Sequence, residues 1–251
     1  MRLPVDVLGV PILPITWVEL RDEVLRRVAA RERTTVMYGN VHVLNVAHEV
    51  PALADALRAA DLVYCDGEGV RLGARLLGER LPERMTGADF IDDLFAQLAV
   101  AKARVAWIGG APGVTSRALV QLVERHPGVV ASFAYHGFFA KDGLETDAVL
   151  DRLAAAKPDV VLVGMGTPIQ ELWVARHRAR IAAPVVWCIG ATADFVTGVQ
   201  RRGPRALTGN RLEWLARLAS DPRRLFGRYV VGNPLFLARV VRVRWSRARG
   251  A

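Results

Sequence analysis

Short apolar runs alternate with longer amphipathic stretches along the first 190 positions of the chain. The runs predict strands over Thr34–Tyr38, Leu62–Cys65, Arg104–Ile108, Val129–Tyr135, Asp159–Val163 and Val185–Ile189. The stretches between them predict helices over Trp17–Ala30, Val41–Arg58 in two pieces broken near Pro51, about Val70–Leu77, Phe90–Val100, a segment ending near Arg125, Leu144–Ala156 and Pro168–Ile181. In the first helix Val18, Leu25 and Val28 oppose Arg21, Glu23, Arg26 and Arg27, with Thr16 as N-cap. Val5–Ile12, interrupted by Pro11 and flanked by Pro4 and Pro14, reads as an edge strand or hairpin. Strands alternating with helices at this spacing imply βαβ units and a largely parallel sheet with helices on both faces. From about Thr197 the apolar strands stop. Arg211–Leu218, Pro222–Val231 and Pro234–Val243 read as three short amphipathic helices, so residues 1–196 form an α/β core and 197–251 a helical appendage.

Composition sharpens this division. The chain has 251 residues, 52% of them apolar and 24% charged, enough to bury a sizeable core. Its net charge is +9, yet residues 201–251 alone carry thirteen arginines, no lysine and two acids, for +11, leaving −2 on the first 200. Such a tail suits phosphate groups, an anionic membrane surface or nucleic acid. Cys65 and Cys188 each lie inside an apolar run and read as buried thiols in a reducing compartment. The opening residues lack a long apolar h-region, so no signal peptide is read, and no uncharged apolar run of about 18 residues suggests a membrane span.

Candidate chemistry gathers where strands end, the edge of an open α/β sheet at which ligands bind. Asp66 follows the strand Leu62–Cys65 in a loop bounded by Gly67 and Gly69. It reads either as a general base or as the N-cap of the next helix. Gly109–Gly113 and Gly164–Gly166 are glycine-rich turns that could direct backbone N–H groups at a diphosphate, but neither matches G-x-G-x-x-G. Thr167 and Pro168 read as N-cap and first residue of a helix whose first turn holds Gln170, able to bond a sugar or base, and Glu171, favoured there by the helix dipole. The five histidines lack metal-ligand spacing, and no Ser-His-Asp set or nucleophile elbow is present. A diphosphate leaving group needs its charge neutralised by a metal or by arginines. Arginines are plentiful here and metal ligands are not, which points to metal-free chemistry if the leaving group is a diphosphate; no cofactor is expected.

Several motifs carry a resemblance. They are Asn40 in its strand-end turn, Ala60-Asp-Leu-Val-x-x-Asp66-Gly-x-Gly-Val, Glu83-Arg84-Met-Thr86-Gly-Ala-Asp89, Gly166-x-Pro-Ile-Gln170-Glu-x-Trp and Ile189-Gly-Ala-x-Ala-Asp194-Phe-x-x-Gly198. Leu212-Glu-Trp-Leu-x-Arg217 and Pro222-x-Arg224-x-x-x-Arg228-Tyr follow in the same order. Over nearly its whole length the chain resembles the WecG/TagA/CpsF family of bacterial glycosyltransferases. The resemblance implies a Rossmann-like fold and an inverting, metal-independent transferase. Its substrates would be a UDP-sugar donor, carrying N-acetylmannosamine, its uronic acid or a related hexose, and an undecaprenyl-diphosphate-linked sugar acceptor. The place would be the cytoplasmic face of the plasma membrane, in wall teichoic acid or surface polysaccharide synthesis.

By position, the resemblance makes Asp66 the base, with Asn40 and Arg84 around it. Gln170 would line the donor site, and Arg217, Arg224 and Arg228 would close over the site from the appendage and grip phosphates. Substrate contacts are further expected at Tyr38, Thr86, Gly109, Gly166 and Asp194. Four positions depart from the family pattern: Tyr38 replaces a Thr, Arg211 a Gly, Gly227 an Arg, and Arg202-Gly-Pro204 an Arg-Ala-Pro. The appendage would also lie on an anionic membrane surface, and assembly with further copies of the chain is compatible with this reading. Two other classes fit the sequence less well. Nucleic-acid binding through the tail fits poorly, because its aromatics recur at helical spacing with Leu and Val. A dinucleotide-dependent oxidoreductase lacks its fingerprint.

Overall fold

The apolar runs form six parallel strands: β3 (Thr34–Gly39), β4 (Leu62–Cys65), β5 (Arg104–Gly109), β6 (Val130–Tyr135), β7 (Val160–Gly164) and β8 (Val185–Cys188), with β1 (Val5–Val7) and β2 (Val10–Ile12) making a separate antiparallel hairpin. A computed structural model describes residues 2–200 and 226–249. Strand order in the large sheet is β4-β3-β8-β7-β5-β6, every pair parallel. β3, β4, β7 and β8 are buried along their whole length, as parallel strands covered on both faces must be. β6 closes one edge and is half exposed. This is a Rossmann-like α/β fold.

Helices α1 (Trp17–Ala29), α5 (Gly87–Val100), α6 (Val114–Arg125) and α9 (Thr192–Val196) pack together as one group. A second group comprises α2 (Val41–Glu49), α3 (Pro51–Ala59) and α8 (Ile169–His177), while α4 (Glu68–Leu76) packs on β1 and α7 (Leu144–Ala156) rests on β6. Thr16 caps α1 as expected, and Glu19 completes a capping box with it. The buried face of α1 is Leu20, Val24 and Val28, whereas Val18 is exposed. Trp17 takes the inward role at this end, stacking on Phe90 with ring centroids 4.4 Å apart. Phe90 in turn stacks on Trp187 and meets Tyr64 edge-on, so four aromatic rings join α1 and α5 to β4 and β8.

The C-terminal part differs from its expectation. Gly227–Val231 form a single π turn that runs directly into α10 (Gly232–Arg249), without a break at Pro234. A proline lacks its N–H and crowds the carbonyl four residues back, here Val230. That carbonyl belongs to the wider π turn, which explains why the helix continues. α10 docks against α2 and α4, burying Phe236 and Val240 in the main core. Arg239 bonds the Asn45 carbonyl at 3.1 Å and pairs with Glu49 at 2.7 Å, and Asn45 Nδ2 donates to the Gly232 carbonyl at 2.8 Å. The predicted helix Arg211–Leu218 and the start of Pro222–Val231 lie outside the described residues. Among the described residues no helix is long and apolar enough to cross a membrane.

Candidate functional site

The carboxyl edge of the sheet carries two cavities. The first, about 400 Å³, opens above β3 and β4 and is roofed by α10. β3 ends at Gly39, and Asn40 caps α2, its Oδ1 accepting from Val43 N at 3.0 Å. The same amide donates from Nδ2 to Asp66 Oδ2 at 3.2 Å. Asp66 is not the cap of the following helix: α4 begins at Glu68, and Gly67, with a φ of +134°, occupies the cap position. Of the two sequence readings, the capping role is therefore the one the backbone does not adopt. Arg84 and Thr86 enter from the loop ahead of α5, and Arg228 and Tyr229 from the π turn. Arg75, Arg84 and Arg228 line this space together with the carboxylates of Asp66 and Glu68. Arg84 lies 4.0 Å from Glu68 and 3.8 Å from Asp89.

His42, in the first turn of α2, also lines the first cavity. Partial burial, with the neighbouring Arg228 guanidinium, holds its imidazole below the ordinary histidine value. The ring is thus neutral near pH 7 and offers one donor and one acceptor. Sequence reasoning passed over His42; its place two residues beyond Asn40 was the available signal.

The second cavity, about 760 Å³, lies over the ends of β5, β6 and β7. Gly110, Gly164 and Gly166 give it a backbone floor, Asp194 on α9 a carboxylate, and the segment after β6 contributes Phe138, Phe139, Lys141 and Glu145. Phe138 is 74% exposed at the rim. Lys141 Nζ donates to the Gly137 carbonyl at 2.8 Å and sits 4.0 Å over the Phe139 ring; desolvation lowers its pKa. Phe138, Phe139 and Lys141 escape sequence reasoning because an irregular loop carries no periodicity to mark them, whereas Glu145 lies in the first turn of α7. Gly109 lies beneath the floor, where a Cβ would stand 2.2 Å from the Gly164 carbonyl oxygen, so only glycine lets the ends of β5 and β7 approach this closely.

Between the cavities Tyr38 and Gln170 are buried and line neither. Helix α8 starts at Ile169, so Pro168 is its cap position rather than its first residue. Thr167 makes no cap bond; its hydroxyl donates to Glu171 Oε1 at 2.9 Å. Glu171 is a first-turn acid of α8 as expected, but it is fully buried, and desolvation raises its pKa. Among the predicted residues, then, Asn40, Asp66, Arg84, Thr86 and Arg228 share the first cavity, and Gly166 and Asp194 the second. Arg217 and Arg224 lie outside the described residues. No cluster of three His, Cys, Asp or Glu side chains suited to a metal occurs among the described residues.

A family model for the glycosyl transferase WecG/TagA/CpsF family matches residues 5–250. The chain belongs to this family. It is accordingly a glycosyltransferase. Proteins from Staphylococcus aureus strains MW2, NCTC 8325 and MRSA252 are similar to it, each 26% identical over 243 residues that cover 96% of this chain and 93% of theirs. Each is named N-acetylglucosaminyldiphosphoundecaprenol N-acetyl-beta-D-mannosaminyltransferase. The match spans both cavities and the C-terminal helix, so the family assignment applies to the whole site rather than to the sheet alone.

Proposed function

We propose that the chain transfers N-acetylmannosamine, its uronic acid or a related hexose from a UDP donor to a polyprenyl-diphosphate-linked sugar, with inversion and without a metal. The observation that carries this reading is the carboxylate of Asp66, oriented by Asn40 in a cavity it shares with three arginines. In the proposed step Asp66 takes the proton of the acceptor hydroxyl while that oxygen attacks the anomeric carbon. The bond from that carbon to the UDP oxygen breaks on the opposite face, and its electron pair leaves on the diphosphate. A single displacement of this kind inverts the anomeric centre.

The second cavity suits the nucleotide. Its backbone floor and the N-terminus of α8 favour phosphate oxygens, and Asp194 can accept from ribose hydroxyls or a base N–H. Phe138 and Phe139 supply aromatic surface for the base. Charge building on the departing diphosphate would meet Arg84 and Arg228, joined by Arg217 and Arg224 from the appendage, which takes the place of a metal. The acceptor's lipid end would be drawn from the cytoplasmic leaflet, with the chain held at its surface through the arginine-rich C-terminal segment.

Transfer from radiolabelled UDP-sugars to a polyprenyl-diphosphate-GlcNAc analogue, with EDTA present, tests the reading. One donor should turn over with wild type and fail with Asp66→Asn, while a UDP-induced thermal shift persists in the variant. Turnover abolished by EDTA would remove the metal-free step, and an Asp66→Asn enzyme as fast as wild type would remove the base.

A further inference from the structure

A compact polar group separates the two cavities. Tyr38, one residue before the end of β3, is 8% exposed, and its hydroxyl accepts from Gln170 Nε2 at 3.2 Å. The same Nε2 donates to Glu171 Oε1 at 2.7 Å, and Gln170 Oε1 accepts from the Gly190 N–H at 3.2 Å. One buried amide thus ties the end of β3 to the first turn of α8 and to the turn after β8. Each tied segment continues into a cavity wall. Two residues beyond Tyr38 is Asn40 in the first cavity, and directly after Gly190 comes Ala191 in the second.

This group costs stability rather than supplying it. Glu171 is buried, its Oε1 accepts two bonds, and its Oε2 has no partner among the described residues. An apolar set of similar volume would fill the space without that desolvation cost. What the polar group provides is geometry, because the amide meets both neighbours with directional bonds. The fit is also tight: a Cβ on Gly190 would stand 2.8 Å from the Tyr38 hydroxyl.

We propose that Tyr38 is a positioning residue for glycosyl transfer, setting through Gln170 the spacing between the Asp66 cavity and the nucleotide cavity. This inference rests on the reading above, in which a donor held in the second cavity must present its anomeric carbon to an oxygen activated in the first. The reacting atoms need to come within about 3–3.5 Å, and a shift of about 1 Å can cost about a hundred-fold in rate. Tyr38→Phe keeps the ring and removes the hydroxyl that Gln170 meets, leaving the amide held from two sides instead of three.

The test measures transfer, hydrolysis of the UDP-sugar by water, the UDP thermal shift and the melting temperature for wild type and Tyr38→Phe. Expected is a kcat for transfer lowered about ten-fold, a larger share of donor lost to water, and donor KM, UDP shift and melting temperature close to wild type. Gln170→Leu provides a second variant should Tyr38→Phe fold poorly; transfer should again fall with UDP binding kept, while its melting temperature drops because Glu171 Oε1 and the Gly190 N–H each lose a partner. The double variant should be no slower than the slower single one, since both remove the same link. A kcat within two-fold of wild type, multiplying losses in the double variant, or a kcat loss matched by falls in melting temperature and UDP affinity would overturn the proposal. A wild-type chain that transfers no sugar would overturn the parent reading as well, whereas an active wild type with an unaffected Tyr38→Phe overturns this inference alone.

Discussion

Asn40 and Asp66, 26 positions apart in sequence, are joined by one hydrogen bond whose direction is fixed by a second. Because Asn40 Oδ1 accepts from Val43 N, only its Nδ2 remains to meet the Asp66 carboxylate. Asn40→Asp keeps a side chain able to cap α2 but places a second carboxylate against Asp66. Like charges at this distance raise the pKa of one of the pair, so the acidic limb of the activity profile should move to higher pH while stability changes little. Asn40→Ala loses the cap as well and should cost about 1 kcal/mol of unfolding free energy. Activity against pH and urea denaturation of the two variants separate the effects.

The buried Glu171 predicts a pH dependence of stability. Its folded pKa lies above the ordinary 4.5, so the folded chain holds a proton that the unfolded chain has released. The cost of burying this side chain is therefore smallest below about pH 4.5, and stability declines as pH rises through the folded value. Glu171→Gln retains an acceptor for Thr167 and Gln170 yet cannot ionise. Its unfolding free energy should fall less steeply than that of wild type above about pH 4.5, as followed by urea denaturation at stepped pH. Parallel curves for the two proteins would show that Glu171 ionises without penalty.

Docking of the C-terminal helix can be tested at Gly73. A Cβ at this position would meet the Phe236 ring at 2.7 Å, and Phe236 is fully buried. Gly73→Ala should therefore cost about 1–3 kcal/mol through overpacking. Because α10 carries Asn233, Phe236 and Leu237 into the first cavity, transfer should fall too. A denaturation midpoint and activity both equal to wild type would mean that the helix shifts freely on α4.

The strand ends were legible in the sequence because apolar runs fix where each strand stops, and Asn40 and Asp66 follow such stops directly. The first turn of α8 was not legible in the same way. Ile169 is 46% exposed whereas Gln170 and Glu171 are buried, the reverse of what hydrophobicity suggests. Gln170 meets partners from β3 and from the turn after β8 that are remote in the chain. Gly232 and Pro234 read as helix breakers, and only the π turn before them shows why they are not. His42 and Lys141 carry no local pattern at all; their significance comes from the cavities around them.

The outer face of α10 bears on where the protein works. Leu235, Val241 and Trp245 are exposed there, Trp245 by 64%, beside the exposed Arg242 and Arg249. Other arginines of the helix are tied to the core: Arg244 to the Leu76 carbonyl and Arg247 to Asp6 at 3.1 Å. An apolar strip flanked by unshielded cations suits the interface of an anionic bilayer, where arginine near the surface contributes about 1 kcal/mol. Co-sedimentation should show binding to phosphatidylglycerol vesicles, weakened by salt, and little binding to phosphatidylcholine. Trp245→Glu removes the largest exposed apolar group on this face and adds a repelled charge, so it should weaken partitioning about ten-fold without altering transfer to a water-soluble acceptor analogue. Unchanged vesicle binding by the variant would place the membrane contact elsewhere on the chain.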